Sequence, residues 1–304
     1  MEVSAMKLAL GPVLYYWSRE TLLKFYDEIA ETPVEIVYLG ETVCSRRHTL
    51  RTQDWFELAE RLAQAGKEVV LSTQALLESE SDLKTLRKLA ANGRFMVEAN
   101  DMGAVRLLAG AAPFALGPHI NLYNPGTLNY LATLGARRWV APLEMSRQAL
   151  QAMQQQRPKG MQTEVFAYGR MPLAFSARCF TARHYNLPKD DCQFRCLDYP
   201  DGLTLRTRDG RPFLALNGIQ TQSAGVYNLI HELADMRALG VNVARISPQA
   251  HHTEKIIRLF RDCLDGELAP QAAADQMAWL MPSHACDGFW HGRPGLEQVG
   301  QGRP

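Results

Sequence analysis

A chain of 304 residues, 46 % of them hydrophobic, can bury one large α/β core or two ordinary ones. Its formal net charge of +1 removes any global electrostatic reason to expect nucleic acid or an anionic membrane as partner, and six cysteines are too few for a disulfide scaffold. No basic-then-apolar leader and no apolar run of about 18 residues is present, so a soluble cytoplasmic protein without a transmembrane segment is expected.

In chain order, short apolar runs alternate with stretches of helical periodicity. The strand candidates are 8–17, 34–40, 67–73, 93–100, 113–123, 137–144, 162–169 and 241–248. Amphipathic segments lie between them at 19–31, 52–66, 80–93, 127–136, 146–156, 224–240 and 252–266, several ending in the glycine or asparagine that favours a helix C-terminus. Strands that alternate with helices build parallel sheets. Eight of them predict a (β/α)8 TIM-like barrel, complete or an incomplete variant, in a single domain over 1–295. The beat is broken once, after strand seven, by an insertion at about 170–224 that carries three cysteines and a hairpin-like stretch, 201–218, with Asp-Gly turns. The last residues, 296–304, read as a flexible tail.

The cysteines are the most informative side chains. Cys179, Cys192 and Cys196 form a C-x12-C-x3-C pattern, too wide for the paired C-x2-C of a zinc knuckle. A free cysteine prefers burial, so three in a polar loop point to a metal or an iron–sulfur cluster, with iron–sulfur the leading reading over zinc. A cluster needs a fourth thiolate. Cys44 follows strand two in a polar loop and is the best candidate, whereas Cys263 sits on a helix and reads as a small apolar residue; Cys286 stays ambiguous. Loops after the strands of a barrel open on one face, so Cys44 and Cys179 are predicted to meet there.

Polar residues also fall at strand C-termini, the usual address of binding groups in a barrel. Glu98, Asn100, Asn121, Asn124, Glu144, Glu164, Tyr168, Arg170, Arg245 and Ser247 together predict the polar rim of a pocket. His251 and His252 read as helix-start residues. Zincin, serine-hydrolase, P-loop and Rossmann motifs are absent, and no catalytic residue is identified.

The segment 163–186, TEVFAYGRMPLAFSARCFTARHYN, resembles the signature region of the collagenase-like peptidase family: Glu164, Phe166, Gly169, Ser176 and Cys179 match, followed by Cys192 and Cys196. The stretch 121–146, from an asparagine-containing strand to a P-x-E-x-S strand end, is similar too. Many members carry a cysteine soon after the glycine. Here Gly169 is followed by Arg170, Met171 and Pro172, and Cys44 would take the fourth place. With Cys44, the C-x12-C-x3-C spacing and the chain length, the resemblance is closest to the ubiquinone-biosynthesis branch.

That resemblance implies an iron–sulfur subunit that binds a [4Fe–4S] cluster through Cys44, Cys179, Cys192 and Cys196 and works with a homologous UbiU-like subunit as a heterodimer. The pair would support O2-independent hydroxylation of a ubiquinone precursor, delivered by a lipid carrier protein, with the oxygen from a donor such as prephenate. Two alternatives remain open: an RNA base hydroxylation factor of the same family, and a zinc-stabilised scaffold protein. Peptidase activity is not expected, because Ser176 beside Arg178 does not make a nucleophile with an orienting base.

Overall fold

A computed structural model describes residues 6–300. Seven strands alternate with six helices along the first half: β1 (Lys7–Leu10), α1 (Arg19–Ala30), β2 (Ile36–Leu39), α2 (Thr52–Gln64), β3 (Glu68–Ser72), α3 (Glu80–Ala90), β4 (Met96–Ala99), α4 (Met102–Leu108), β5 (Phe114–Leu116), α5 (Pro125–Thr133), β6 (Ala136–Val140), α6 (Arg147–Gln155) and β7 (Gln162–Phe175). Then come α7 (Phe180–His184), β8 (Leu203–Arg206), β9 (Pro212–Asn217), β10 (Gln220–Asn228), α8 (Leu233–Ala238), β11 (Val243–Ile246), α9 (Thr253–Asp265), α10 (Pro270–Met277) and β12 (Ala285–Cys286).

The barrel is closed. Strands β1 to β7 pair in parallel in sequence order, and β11 joins β1 on one side (Leu8 opposite Ala244) to β7 on the other (Val243 opposite Glu164). Eight parallel strands with alternating helices therefore form a (β/α)8 TIM-like barrel, without the incompleteness that the sequence left open. The helices begin where the sequence offers caps: Ser18, Ser79, Asp101, Asn124 and Ser146 each accept a backbone N–H from the first turn of the helix that follows. Their apolar stripes and the outward faces of the strands make one large core, with Leu8, Leu10, Leu39, Leu71, Leu116, Trp139 and Phe260 almost fully buried. A second, small cluster of Ala9, Ile36, Tyr38, Val70 and Val243 fills the barrel lumen, as the two-residue alternation of a strand requires.

Four differences from the expected elements have identifiable causes. Residues 224–228 belong to β10 rather than to the start of a helix, because Gln220–Asn228 pairs antiparallel with β7 on one side and β9 on the other. Backbone hydrogen bonding overrides the helical spacing there, and helix α8 starts only at Leu233. Strand β7 runs on past the barrel rim to Phe175, so β7, β10, β9 and β8 stand as an antiparallel extension beside the C-terminal mouth. The first strand stops at Leu10: the Gly11 N–H still donates to Ile246 O, Pro12 has no N–H to continue the pairing, and α4 and α10 add two short helices. Finally, 296–300 is tied down where composition suggested flexibility: Glu297 O accepts the Asp287 and Gly288 amides, and the Asp287 carboxylate accepts the Val299 and Gly300 amides at 2.5 and 2.8 Å. The remainder of that tail, 301–304, lies outside the described residues.

Candidate functional site at the C-terminal mouth

The barrel lumen is polar along much of its length, and the polarity is paired. Glu68 accepts from Arg138 Nη2 at 2.6 Å; Arg138 Nη1 donates to the Tyr38 hydroxyl at 3.2 Å; Tyr38 donates to Glu164 Oε2 at 2.6 Å. Arg245 then bridges two carboxylates, with Nε on Glu164 Oε1 at 2.5 Å and Nη2 on Glu98 Oε1 at 2.7 Å, while its guanidinium carbon lies 4.0 Å from the Tyr38 ring centre. Glu98 Oε2 also accepts from Ser72 Oγ and Asn100 Nδ2. Burial pushes the Glu98 carboxyl up, but Arg245 and these hydrogen bonds outweigh it and hold it below the usual range. The result is a continuous chain of hydrogen-bonded charged and polar groups running from the lower end of the lumen to its mouth.

At the mouth the network ends against a small cavity of about 20 Å3, lined by Thr42, Glu98, Asn100, His119, Arg245 and Ser247 among others. Pro118, His119 and Pro172 also border a wider cavity of about 250 Å3, with Asn121, Glu144 and Phe175 on its walls. Thr42 Oγ1 and Asn100 Oδ1 are buried here without a hydrogen-bond partner among the described residues. Such orphaned acceptors beside a cavity suit a polar group of a bound molecule. His119 lies edge-on to Phe175, ring centres 4.9 Å apart, and burial pushes its imidazole down to about 4, so it stays neutral near pH 7. A neutral imidazole, two carboxylates and a guanidinium can orient a small polar substrate and relay a proton.

Beside this mouth the structure brings the four predicted cysteines into one neighbourhood. Cys44 belongs to the β2–α2 loop, and its thiol packs with Leu14, Val43, Ile219, Phe175 and Cys179. Cys179 caps α7, its Sγ accepting from the Ala182 amide at 3.4 Å. Cys179 lies close enough to Cys44 to help raise its thiol, and Cys179 and Cys192 do the same to Cys196. Two contacts pin the loops together. Arg46 donates to Asp190 Oδ1 at 3.2 Å and to its carbonyl at 2.6 Å, joining the Cys44 loop to the Cys192 segment. Arg47 is buried, donating to Leu14 O at 2.7 Å and Asn217 Oδ1 at 2.6 Å, and its charge favours the thiolate of Cys196.

Burial pushes the Cys44 thiol up to about 11 and also raises Cys196, with Arg47 opposing the rise in both. The Arg47 guanidinium and the Ala182 amide are N–H donors of the kind that tune cluster-bound sulfurs. Among the described residues, no group of three or more His, Cys, Asp or Glu side chains is placed to hold a metal ion. The candidate donors are the thiols of Cys44, Cys179, Cys192 and Cys196. Their chemistry, all sulfur with N–H donors close by, suits an iron–sulfur cluster.

The other sequence candidates divide between the lumen, the outer core and the surface. Glu98, Asn100 and Arg245 are buried where the lumen meets the mouth cavity and Glu164 is buried in the lumen, because strand residues of one parity face the barrel interior. Tyr168 faces outward and packs edge-on against Phe260, and Arg170 donates to the carbonyls of Ser223 and Ala224, so both are structural. Asn124 caps α5, and Glu144 accepts from the Tyr123 hydroxyl at 3.0 Å. His252 is the residue immediately before α9, as its position predicted. Cys263 and Cys286 pack against the main core. Ser176 Oγ accepts the Arg178 amide at 3.1 Å. Sequence reasoning missed His119, Tyr38, Arg138 and Arg47. Pro118-His119 just beyond β5 was the available signal for the first; nothing local marks the others, which meet their partners only through closure of the barrel.

A closed parallel barrel with a polar lumen and a thiol-bearing C-terminal face is the class of molecule that these observations define. The sequence profile of Peptidase family U32 matches residues 17–299, and the chain belongs to that family. Among solved structures it is similar to the U32 peptidase Mk0906, at 11 % identity with a TM-score of 0.45, covering 81 % of this chain and 94 % of that one. A Yersinia pestis DHPS bound to a pterine-sulfa conjugate is similar at 11 % identity and a TM-score of 0.42, covering 88 % and 96 %. A Thermotoga maritima DAHP synthase follows at 10 % identity and 0.37, covering 93 % and 72 %.

Proposed function

We propose that this chain is a UbiV-type iron–sulfur subunit of an oxygen-independent hydroxylase of ubiquinone precursors, acting with a UbiU-like homologous subunit. The observation that carries the reading is the convergence of Cys44, Cys179, Cys192 and Cys196, from loops far apart in sequence, beside the mouth of the barrel. These four thiols would hold a [4Fe–4S] cluster, which supplies one-electron chemistry when bound. The chain's own contribution is to orient the substrate. Thr42, Asn100 and neutral His119 offer acceptors and a titratable nitrogen at the mouth, and Phe175 supplies an apolar wall between the mouth and Cys179. No helix among the described residues is long and apolar enough to cross a membrane, so a prenylated precursor would be presented by a carrier.

Oxygen-free purification tests the reading. The protein should be brown, with roughly four irons and four sulfides per chain, and Cys192→Ala should lose them while Cys263→Ala keeps them. Co-expression with the partner should be required for precursor hydroxylation without O2. Full iron retention in Cys192→Ala, or a colourless zinc protein, would refute the assignment.

A further inference from the structure

The antiparallel extension beside the mouth is built inside out. Residues directly opposite one another in an antiparallel pair share a face, and the registers put Phe175, Gln220 and Asn217 on one face together with Gln222 and Ala215. Gln220, Gln222, Asn217 and Ala215 are buried, so this largely polar face is the inner one. The outward face carries Leu203 opposite Leu216 and Leu205 opposite Leu214, and it continues through Thr221 and Ala174. A sheet with one side in water normally shows the reverse, apolar inside and polar outside.

Among the described residues, none of these four leucines belongs to a buried apolar cluster or packs against one. Leu205 is 43 % exposed on β8, the free edge of the sheet. Phe213, the extra residue where the β8–β9 register shifts, is equally exposed next to Leu214. The turn that joins these two strands is basic. Arg206, Arg208 and Arg211 are all exposed, and the one acid among them, Asp209, pairs with Arg211 at 3.0 Å. Arg206 is held by Gly210 O at 2.9 Å, a contact that leaves its charge uncompensated. Three cations against one anion place a surplus of two positive charges at the tip of an apolar face, in a chain whose net charge is only +1.

We propose that this face docks on an anionic lipid surface, with Leu205 and Phe213 entering the headgroup region and Arg206, Arg208 and Arg211 meeting lipid phosphates. Apolar side chains rimmed by arginines are what an interfacial site needs, since apolar burial and attraction to anionic headgroups add. A second copy of the chain fits less well: an isologous contact through this face would bring the basic turns of both copies into one interface, with only Asp209 of each to answer them. An acidic protein would satisfy the same charges. Lipid is favoured over it by position, because the extension stands beside the mouth and the precursor proposed above carries a prenyl chain. That choice rests on the proposed function and deepens it, since docking would hold the mouth at the surface from which a carrier draws the precursor.

Co-sedimentation of the full-length protein with lipid vesicles is the test. Vesicles of phosphatidylcholine with about 30 % phosphatidylglycerol should bind it at least about tenfold more tightly than pure phosphatidylcholine. Raising the salt from about 0.1 M to about 0.5 M should remove most of that difference. Arg206→Gln/Arg208→Gln should weaken binding to the anionic vesicles at least about tenfold, at roughly fivefold per arginine. Lys24→Gln/Arg87→Gln, which removes as much charge from exposed positions on α1 and α3, should leave it within about twofold. Leu205→Gln should weaken binding to both kinds of vesicle while the thermal unfolding midpoint stays within a few degrees of the parent. Equal binding to both vesicles, or unchanged binding in the double arginine variant, would overturn the inference. So would no vesicle binding at all, the result expected of a face that receives a protein, or a dimer in size-exclusion chromatography that Leu205→Gln dissociates. Iron-free and iron-loaded preparations should bind alike, so a failed iron–sulfur assignment leaves this result readable.

Discussion

Arg245→Met is the sharpest test of the lumen. Arg245 is 3 % exposed and is the shared partner of Glu98 and Glu164, whose carboxylates it reaches at 2.7 and 2.5 Å. Methionine fills a similar apolar volume but leaves two buried carboxylates facing a gap in their charge pairing. Removing one member of a buried ion pair costs about 3–5 kcal/mol, so a loss of that size in urea unfolding at pH 8 is expected. The pH dependence then has a definite sign. In the parent protein the Glu98 pKa is depressed, so its contribution is present above the unfolded value and disappears only as pH falls through the lower, folded value. Without Arg245, burial dominates and lifts that pKa above its unfolded value. The folded variant then binds the extra proton and gains stability between pH 8 and pH 5, while the parent changes little through this group. Adding Glu98→Gln should recover part of the loss. A cost below about 1 kcal/mol at pH 8, or an equal cost at both pH values, would refute the reasoning.

Two further predictions concern the mouth. Gly169 holds φ +128° where β7 leaves the barrel, and a Cβ there would stand 2.6 Å from the Ser247 Cβ, so Gly169→Ala should lose at least about 1–3 kcal/mol in chemical denaturation; an effect near zero would mean that the strand does not bend there. His119 has its pKa pushed down to about 4 by burial, so the unfolded chain binds its proton first as pH drops. Stability should fall between about pH 6.5 and pH 4 by up to roughly 3 kcal/mol, and His119→Asn should flatten that slope; parallel profiles for parent and variant would count against burial of the ring.

The alternation of apolar runs with amphipathic segments was enough to place all eight barrel strands and most of the helices, because parity along a strand and 3.6-residue spacing along a helix are local properties. It failed at 224–228, where the spacing looks helical and pairing within β10 decides the conformation. The cysteine pattern, too, is visible in the sequence: four thiols in polar loops, one of them separated from the rest by more than a hundred residues. What remained hidden was everything that needs two distant strands at once. Arg245 reads locally as a strand-end cation at a pocket rim, yet closure of β11 between β1 and β7 turns it inward onto Glu164 and Glu98. Likewise Arg47 is one basic residue among several after Cys44, and only the packing of the β2–α2 loop against β9 and the Cys196 segment places it beside the thiols. Sequence by itself determined the barrel strands and the spacing of the cysteines, both written in short-range pattern. Tertiary structure decided which charges are buried together and which thiols are neighbours, since those depend on where the closed sheet puts residues that the chain keeps far apart.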